Sequence, residues 1–407
     1  MYDILILRRC SKQIYDFCNN DHSLWYNKPY EIRIPANTTD SPPSYYNHLT
    51  DIILIQQDMR TPYIEDHVFE LLFHSLHNMN KLHIVDYQLS NVMVECMIHE
   101  NIHQWLIQLD LTNCDLTHTY VHLSRFNQLH ELYLTVYDYY QFVEEYDLPD
   151  SMLLYKQLSH LHQLQTLHLL YSNDFHNLIT PSATHNLGSL AACTQLTELK
   201  IDCNLSEYDV AGLSQLHSLR KLLLYTEVPS NRYHSDATYF SQQIIFADHE
   251  VQLMTQQFND TLNSLPQLTE LQFGCSVETI EKQKYMLQYV LANTRIPNIQ
   301  FVTYLSENSL SRDTFTFDKH IIQSSYIEQL SIRGAMYSID IDIQLPDTLH
   351  KLILCDVGSS SHDIMFTGQL IQHIQSNNSH CTVEWDDSDS DVDDYDDFNS
   401  IMDPFAM

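Results

Sequence analysis

The chain has 407 residues, 44% of them hydrophobic, enough to bury a large core, yet only 6 are glycine, too few for an enzyme rich in tight turns and phosphate loops. Its 53 acidic and 20 basic residues give a formal net charge of -33, which argues against nucleic acid or anionic membrane as a partner, since their phosphates would be repelled, and favours solubility. Nine cysteines without a C-x-x-C pair give no support to a cysteine zinc knuckle or a redox motif and read as reduced core or near-core residues. With no basic-then-apolar leader, the protein is expected in the cytoplasm or the nucleus.

In residues 1–28, Leu5, Leu7, Ile14 and Phe17 fall on helix-like spacing, and Ser23-Leu24-Trp25 runs a polar turn into a large apolar anchor. Through Asp3, Leu5, Cys10, Ser11, Lys12, Tyr15, Phe17, Asp21, Ser23, Leu24 and Trp25 the segment resembles the second half of an F-box. That pattern runs from an Asp-Leu start through a Val-Cys-Lys-Arg-Phe-like helix to an Asp-x-Ser-Leu-Trp end. The opening helix of an F-box, Leu-Pro-x-Glu followed by Ile-Phe-x-x-Leu, has no counterpart here. The resemblance implies that Leu5, Cys10, Tyr15, Phe17, Leu24 and Trp25 dock a Skp adaptor carried on a cullin scaffold. A second reading makes residues 1–28 a cap on the open end of a repeat array.

Residues 29–48 contain Pro35, Pro42, Pro43 and a polar Asn-Thr-Thr-Asp-Ser run, and read as a linker. From Leu49 a different pattern takes over, clearest at Leu106 to Leu116, LIQLDLTNCDL, which is the L-x-x-L-x-L-x-x-C-x-L signature of a leucine-rich repeat. Alternate residues of a short strand point into a core, and Cys114 stands where the chain turns away. The first, fourth and sixth positions recur as Leu49/Ile52/Leu54, Met79/Leu82/Ile84, Leu106/Leu109/Leu111, Leu129/Leu132/Leu134, Leu164/Leu167/Leu169 and Leu196/Leu199/Ile201. They continue as Leu219/Leu222/Leu224, Leu268/Leu271/Phe273, Ile296/Ile299/Phe301, Ile327/Leu330/Ile332 and Leu349/Leu352/Leu354. One such unit cannot bury its apolar face alone, so neighbours must stack. The expected fold is an α/β leucine-rich-repeat solenoid, a horseshoe with a parallel concave sheet and about eleven irregular repeats over residues 49–385. Lead-ins at spacing three, such as Leu158, Leu161, Leu164 and Leu213, Leu216, Leu219, predict a helix descending onto the next strand.

Taken together, the F-box-like segment and the repeats are similar to the F-box and leucine-rich-repeat protein family. That likeness implies a non-catalytic subunit of a Skp-cullin-F-box ubiquitin ligase. The repeats would hold a protein target for ubiquitination and proteasomal degradation, and catalysis would be proximity. The alternative is a free-standing leucine-rich-repeat scaffold for protein-protein interaction.

His99-Glu100-Asn101-Ile102-His103 spells H-E-x-x-H. On a helix its two imidazoles share a face and could bind zinc with Glu100 as general base, the signature of a metalloprotease. Context weighs against that third reading, because His103 stands three residues before the strand opening at Leu106, at the end of an outer helix rather than in a cleft. No metal or cofactor is expected. His74/His77 and His160/His162 read as surface residues without acidic partners.

Within each strand the residue between the fourth and sixth positions should point out of the concave sheet. This gives a ladder of His83, Asp110, Tyr133, His168, Lys200, Leu223, Gln272, Gln300, Ser331 and Ile353. Its middle, Tyr133, His168, Lys200 and Leu223 with Tyr171 and Tyr225 just beyond their strands, is the expected partner-binding surface, since aromatic side chains anchor interfaces and a cation could select an acidic partner group. Between Leu224 and Leu268 the period stretches, and residues 226–262 read either as an insertion or as a degenerate repeat around Ile244 to Leu253. Residues 386–407 begin with an Asp block that should stay disordered. There Ser388 and Ser390 each have Asp three residues on, and Phe398, Ile401, Met402 and Phe405 form an apolar ending.

Overall fold

The structure, a computed structural model, describes residues 30–34, 49–56, 66–85, 91–112, 114, 120–137, 151–172, 187–202, 207–224, 248–275, 280–303, 315–317, 326–333, 337–339, 344–355, 371–372 and 374–385. The F-box-like segment, the acidic tail and Tyr225 lie outside these residues. The chain divides into two units, Met1–Leu219 and Arg220–Met407.

In the first unit seven strands run parallel in chain order: β1 Tyr30–Ile34, β2 Asp51–Gln56, β3 Lys81–Val85, β4 Gln108–Leu111, β5 Glu131–Tyr137, β6 Thr166–Ser172 and β7 Glu198–Asp202. Between them run the helices α1 Asp66–His74, α2 Asn91–His99 and α3 Ser151–Leu158, with 3-10 turns at Ile102–Gln104, Tyr120–Arg125 and Leu187–Ala192; α4 Glu207–Leu213 follows β7. The register aligns the repeat's fourth position from strand to strand: Ile52 with Leu82, Leu82 with Leu109, then Leu132, Leu167 and Leu199.

The second unit holds β8 Lys221–Leu224, α5 Asp248–Ser264, β9 Glu270–Cys275, α6 Ile280–Asn293, β10 Asn298–Thr303, β11 Phe315–Phe317, β12 Gln329–Arg333, β13 Tyr337–Ile339, β14 Lys351–Cys355 and β15 Thr382–Trp385. Strands β8, β9, β10, β12, β14 and β15 form one parallel run in that order, while β11 and β13 pair apart from it. Leu222, Leu271, Ile299, Leu330, Leu352 and Val383 line up in register.

Each unit is therefore a leucine-rich-repeat solenoid, and the core sits where the pattern puts it. All the first, fourth and sixth positions named above are buried except Leu224, which is half-buried. Burying one such side chain contributes about 1.5–3 kcal/mol, so the aligned rows supply most of what holds the stack together. Phe273 and Phe301 meet at 5.0 Å between ring centroids, with Phe258 of α5 packed against Phe273 at 6.3 Å.

Several local expectations are corrected. The expected descending helices are present as α3 and α4 but stop at the first residue of each lead-in: α3 ends at Leu158, and the Leu161 N–H then bonds the Leu158 carbonyl (2.9 Å) and the Leu164 N–H the Leu161 carbonyl (3.0 Å). Leu216 and Leu219 repeat this on Leu213 and Leu216. A period of three is the 3-10 period, with the same face returning every turn, whereas an α-helix drifts off it. Residues 30–34, read within the linker, form β1, because Tyr-Glu-Ile-Arg-Ile alternates with period two until Pro35 ends it. Residues 248–264, inside the stretched period, form the 17-residue α5 packed beside α6.

Candidate partner-binding face

Burial of the fourth and sixth positions turns the residues beside them to the other side of the sheet, where they are half-buried, as the alternating pattern of β4 shows. In the first unit the register sets Ile53 beside His83, His83 beside Asp110, Asp110 beside Tyr133, Tyr133 beside His168, and His168 beside Lys200. The structure thus brings Tyr133, His168 and Lys200 together on β5, β6 and β7. Leu223 lies in the second unit on β8. Tyr171 belongs to β6 by its backbone, paired with Val136.

The centre of this face is tied down. The Tyr133 and His168 rings meet edge to face, with centroids 4.7 Å apart and planes at 82°. Tyr133 Oη donates to Glu131 Oε2 at 3.1 Å, and His168 Nε2 lies 3.1 Å from Glu198 Oε1. One strand pair away, His83 Nε2 stands 3.6 Å from Asp110 Oδ2, while Asp110 Oδ1 accepts from the Thr112 N–H (3.0 Å) and hydroxyl (2.6 Å). Burial pushes the Tyr133 phenol well above its ordinary range, and the charges of Glu131, Glu198 and Asp110 add to this. The phenol therefore stays protonated and remains a donor. The aromatic pair is thus held by a carboxylate on each side.

Glu131 and Glu198 were missed by reading only the residue between the fourth and sixth positions. The signal was present, since a strand's period of two puts the residue before the fourth position on the same face. Thr166 lies between them in register.

The H-E-x-x-H stretch is split by a helix end. α2 stops at His99, Asn101 adopts a left-handed backbone (φ 60°), and His103 sits in a 3-10 turn, so the shared face the zinc reading needs is not formed. The His99 side chain is 86% exposed and pairs with Glu100 at 3.3 Å; His103 packs edge-on against Phe126, and burial lowers its basicity. Among the described residues no group of three or more His, Cys, Asp or Glu is placed to hold a metal ion. His74 does have an acidic partner, Glu100 at 3.2 Å from the next repeat, a contact that sequence distance concealed. No described helix is long and apolar enough to cross a membrane.

No family model and no curated protein matches the chain. Among solved structures it is similar to the leucine-rich-repeat protein LIC12759 of Leptospira interrogans, at 13% identity and a TM-score of 0.31, covering 89% of this chain and 91% of that one. It also resembles the TLR13-ssRNA13 complex (14%, TM-score 0.34, covering 77% and 50%) and Toll of the Drosophila Toll-Spatzle complex (13%, TM-score 0.36, covering 88% and 48%). The chain spans about half the length of those last two. At these scores none of the three transfers a ligand or a partner to this protein.

Proposed function

We propose that the chain is a protein-binding module and that the first unit's open sheet face, centred on Tyr133, His168 and Lys200, receives the partner. The observation that carries this is the Tyr133–His168 ring pair, braced by Glu131 and Glu198 on the sheet face opposite the buried leucine rows. An aromatic cluster fixed in advance loses little side-chain entropy on binding, and Tyr is among the residues that dominate interface energetics. Lys200 beside it offers a charge that selects orientation. The test is alanine substitution at Tyr133, His168 and Lys200, with affinity for a partner recovered from cell extract measured by calorimetry. At least one substitution is expected to weaken binding by more than about 1 kcal/mol with an unchanged melting temperature. Normal binding by all three would remove the face from consideration.

The finer reading, a substrate receptor of a Skp-cullin-F-box ubiquitin ligase, draws its support from the sequence motif spanning Asp3 to Trp25. On this reading Leu5, Cys10, Tyr15, Phe17, Leu24 and Trp25 contact the adaptor, and the repeats present the target. Co-purification with a Skp adaptor, weakened by Trp25→Ala, is the expected result. A wild-type chain that never captures the adaptor, even in excess, leaves the free-standing scaffold as the function.

A further inference from the structure

The open face of the second unit differs in chemistry from that of the first. In register across it stand Leu223, Gln272, Gln300, Ser331 and Ile353, one per strand on β8, β9, β10, β12 and β14. The parallel row two residues earlier runs Lys221, Glu270, Asn298, Gln329 and Lys351. All of these but Lys351, which pairs with Glu384 Oε2 at 2.8 Å, line a shallow groove of about 340 Å³. Among the described residues the side-chain amides of Gln272, Asn298, Gln300 and Gln329 have no hydrogen-bond partner. Each amide offers two N–H donors and a carbonyl acceptor, the complement of a peptide unit's C=O and N–H.

The groove's length and ends limit what can lie in it. Four inter-strand steps of ~4.8 Å separate Leu223 from Ile353, about 19 Å, which an extended chain at ~3.3 Å per residue covers with about six residues. Both ends are aliphatic. No aromatic ring lines the groove, so it lacks the stacking platform that a sugar face or a nucleic-acid base would use. Among the described residues its charged lining is Lys221 and Glu270, which sit beside each other in register and balance, within a chain of net charge -33. A neutral middle with unpaired amides fits an uncharged occupant that carries both donors and acceptors.

We propose that this face binds an extended, uncharged peptide segment of about six residues lying across β8 to β14. Gln272, Gln300 and Gln329 pair with its backbone, and apolar side chains near its two ends pack on Leu223 and Ile353. The site includes none of Tyr133, His168 and Lys200, on which the proposed function rests, so either stands if the other fails.

The test uses the full chain and a fluorescein-labelled, end-capped hexapeptide with leucine at both ends and serine, alanine and glutamine between, followed by fluorescence anisotropy. Saturable binding is expected. Gln272→Met and Gln300→Met, which keep side-chain length and remove the hydrogen bonds, should each weaken it about fivefold with an unchanged melting temperature. Tyr133→Ala should leave it intact. The same peptide N-methylated along its backbone should fail to compete, an arm that decides the matter even if a variant does not fold. The proposal is overturned by absence of saturation at about 1 mM peptide, the weak limit of specific recognition. Equal competition by the N-methylated peptide, unaltered binding in both Gln→Met variants, or displacement by maltohexaose would overturn it as well.

Discussion

Cys193 donates its thiol hydrogen to the Leu158 carbonyl one repeat earlier at 3.3 Å, as Cys114 does to Ile84 at 3.2 Å. These cysteines satisfy backbone acceptors between stacked repeats, and Cys114 does so at the signature position where the chain leaves the strand. Burial pushes the Cys193 thiol from its ordinary 9.0 up to about 11. Between those values the native state keeps a proton that the unfolded chain releases, so this contribution is complete below pH 9 and is lost as pH rises through 11. The denaturation midpoint should therefore fall across that interval. At pH 8 a thiol reagent should modify Cys114 and Cys193 only after unfolding; rapid labelling of the native protein would contradict their placement. Asn378 plays the comparable part near the C-terminal end of the second unit: buried, its Oδ1 accepts from the Leu345 N–H at 2.8 Å and its Nδ2 donates to the Ile374 carbonyl at 2.8 Å. Asn378→Leu should cost about 1–3 kcal/mol in denaturant titration, because the Leu345 N–H would be left buried without an acceptor.

Among the elements, α4 and the 3-10 turn Leu187–Ala192 of the neighbouring repeat approach each other closely at two glycines. A Cβ on Gly212 would stand 2.6 Å from the Gly188 backbone nitrogen, which cannot give way, whereas a Cβ on Gly188 would meet only the end of the Gln215 side chain at 3.2 Å. Gly212→Ala should therefore destabilise the first unit by about 1–3 kcal/mol, while Gly188→Ala should cost far less. Equal effects would mean that the two repeats pack differently. The repeat strands were legible because their rows of Leu and Ile carry two constraints at once, the strand's alternation and the spacing between repeats. What the pattern left unread has physical causes. The 3-10 lead-ins share their spacing with one edge of an α-helix, and β1 is a single five-residue alternation among prolines. α5 has apolar residues at Phe258 and Leu262 but buries Thr255, Asn259 and Thr261 beside them, so its inner face does not read as a hydrophobic stripe. β11 and β13 are three-residue strands outside the main series, too short for any periodicity to register.

For the molecule as a whole, what reads from sequence is the sheet face proposed to meet a partner; the contacts that organise it do not. The outward ladder from His83 to Lys200 follows directly from repeat phase, which is why Tyr133, His168 and Lys200 are legible in the sequence. The same period of two puts Glu131 and Glu198 on this face, but which ring each carboxylate reaches and the edge-to-face ring geometry depend on rotamers, which no periodicity encodes. The -33 charge weighs against a polyanionic partner, and the sheet faces opposite the leucine rows carry the half-buried, organised side chains on which the binding proposal rests. The most direct measurement places a photo-cross-linking amino acid at Gln108, beside Glu131 in register on the open face, or at His99 at the exposed end of α2, and irradiates the full chain in extract. The account predicts a specific partner adduct from Gln108 that disappears with Tyr133→Ala, and none from His99. An adduct from His99 with nothing at Gln108 would contradict it.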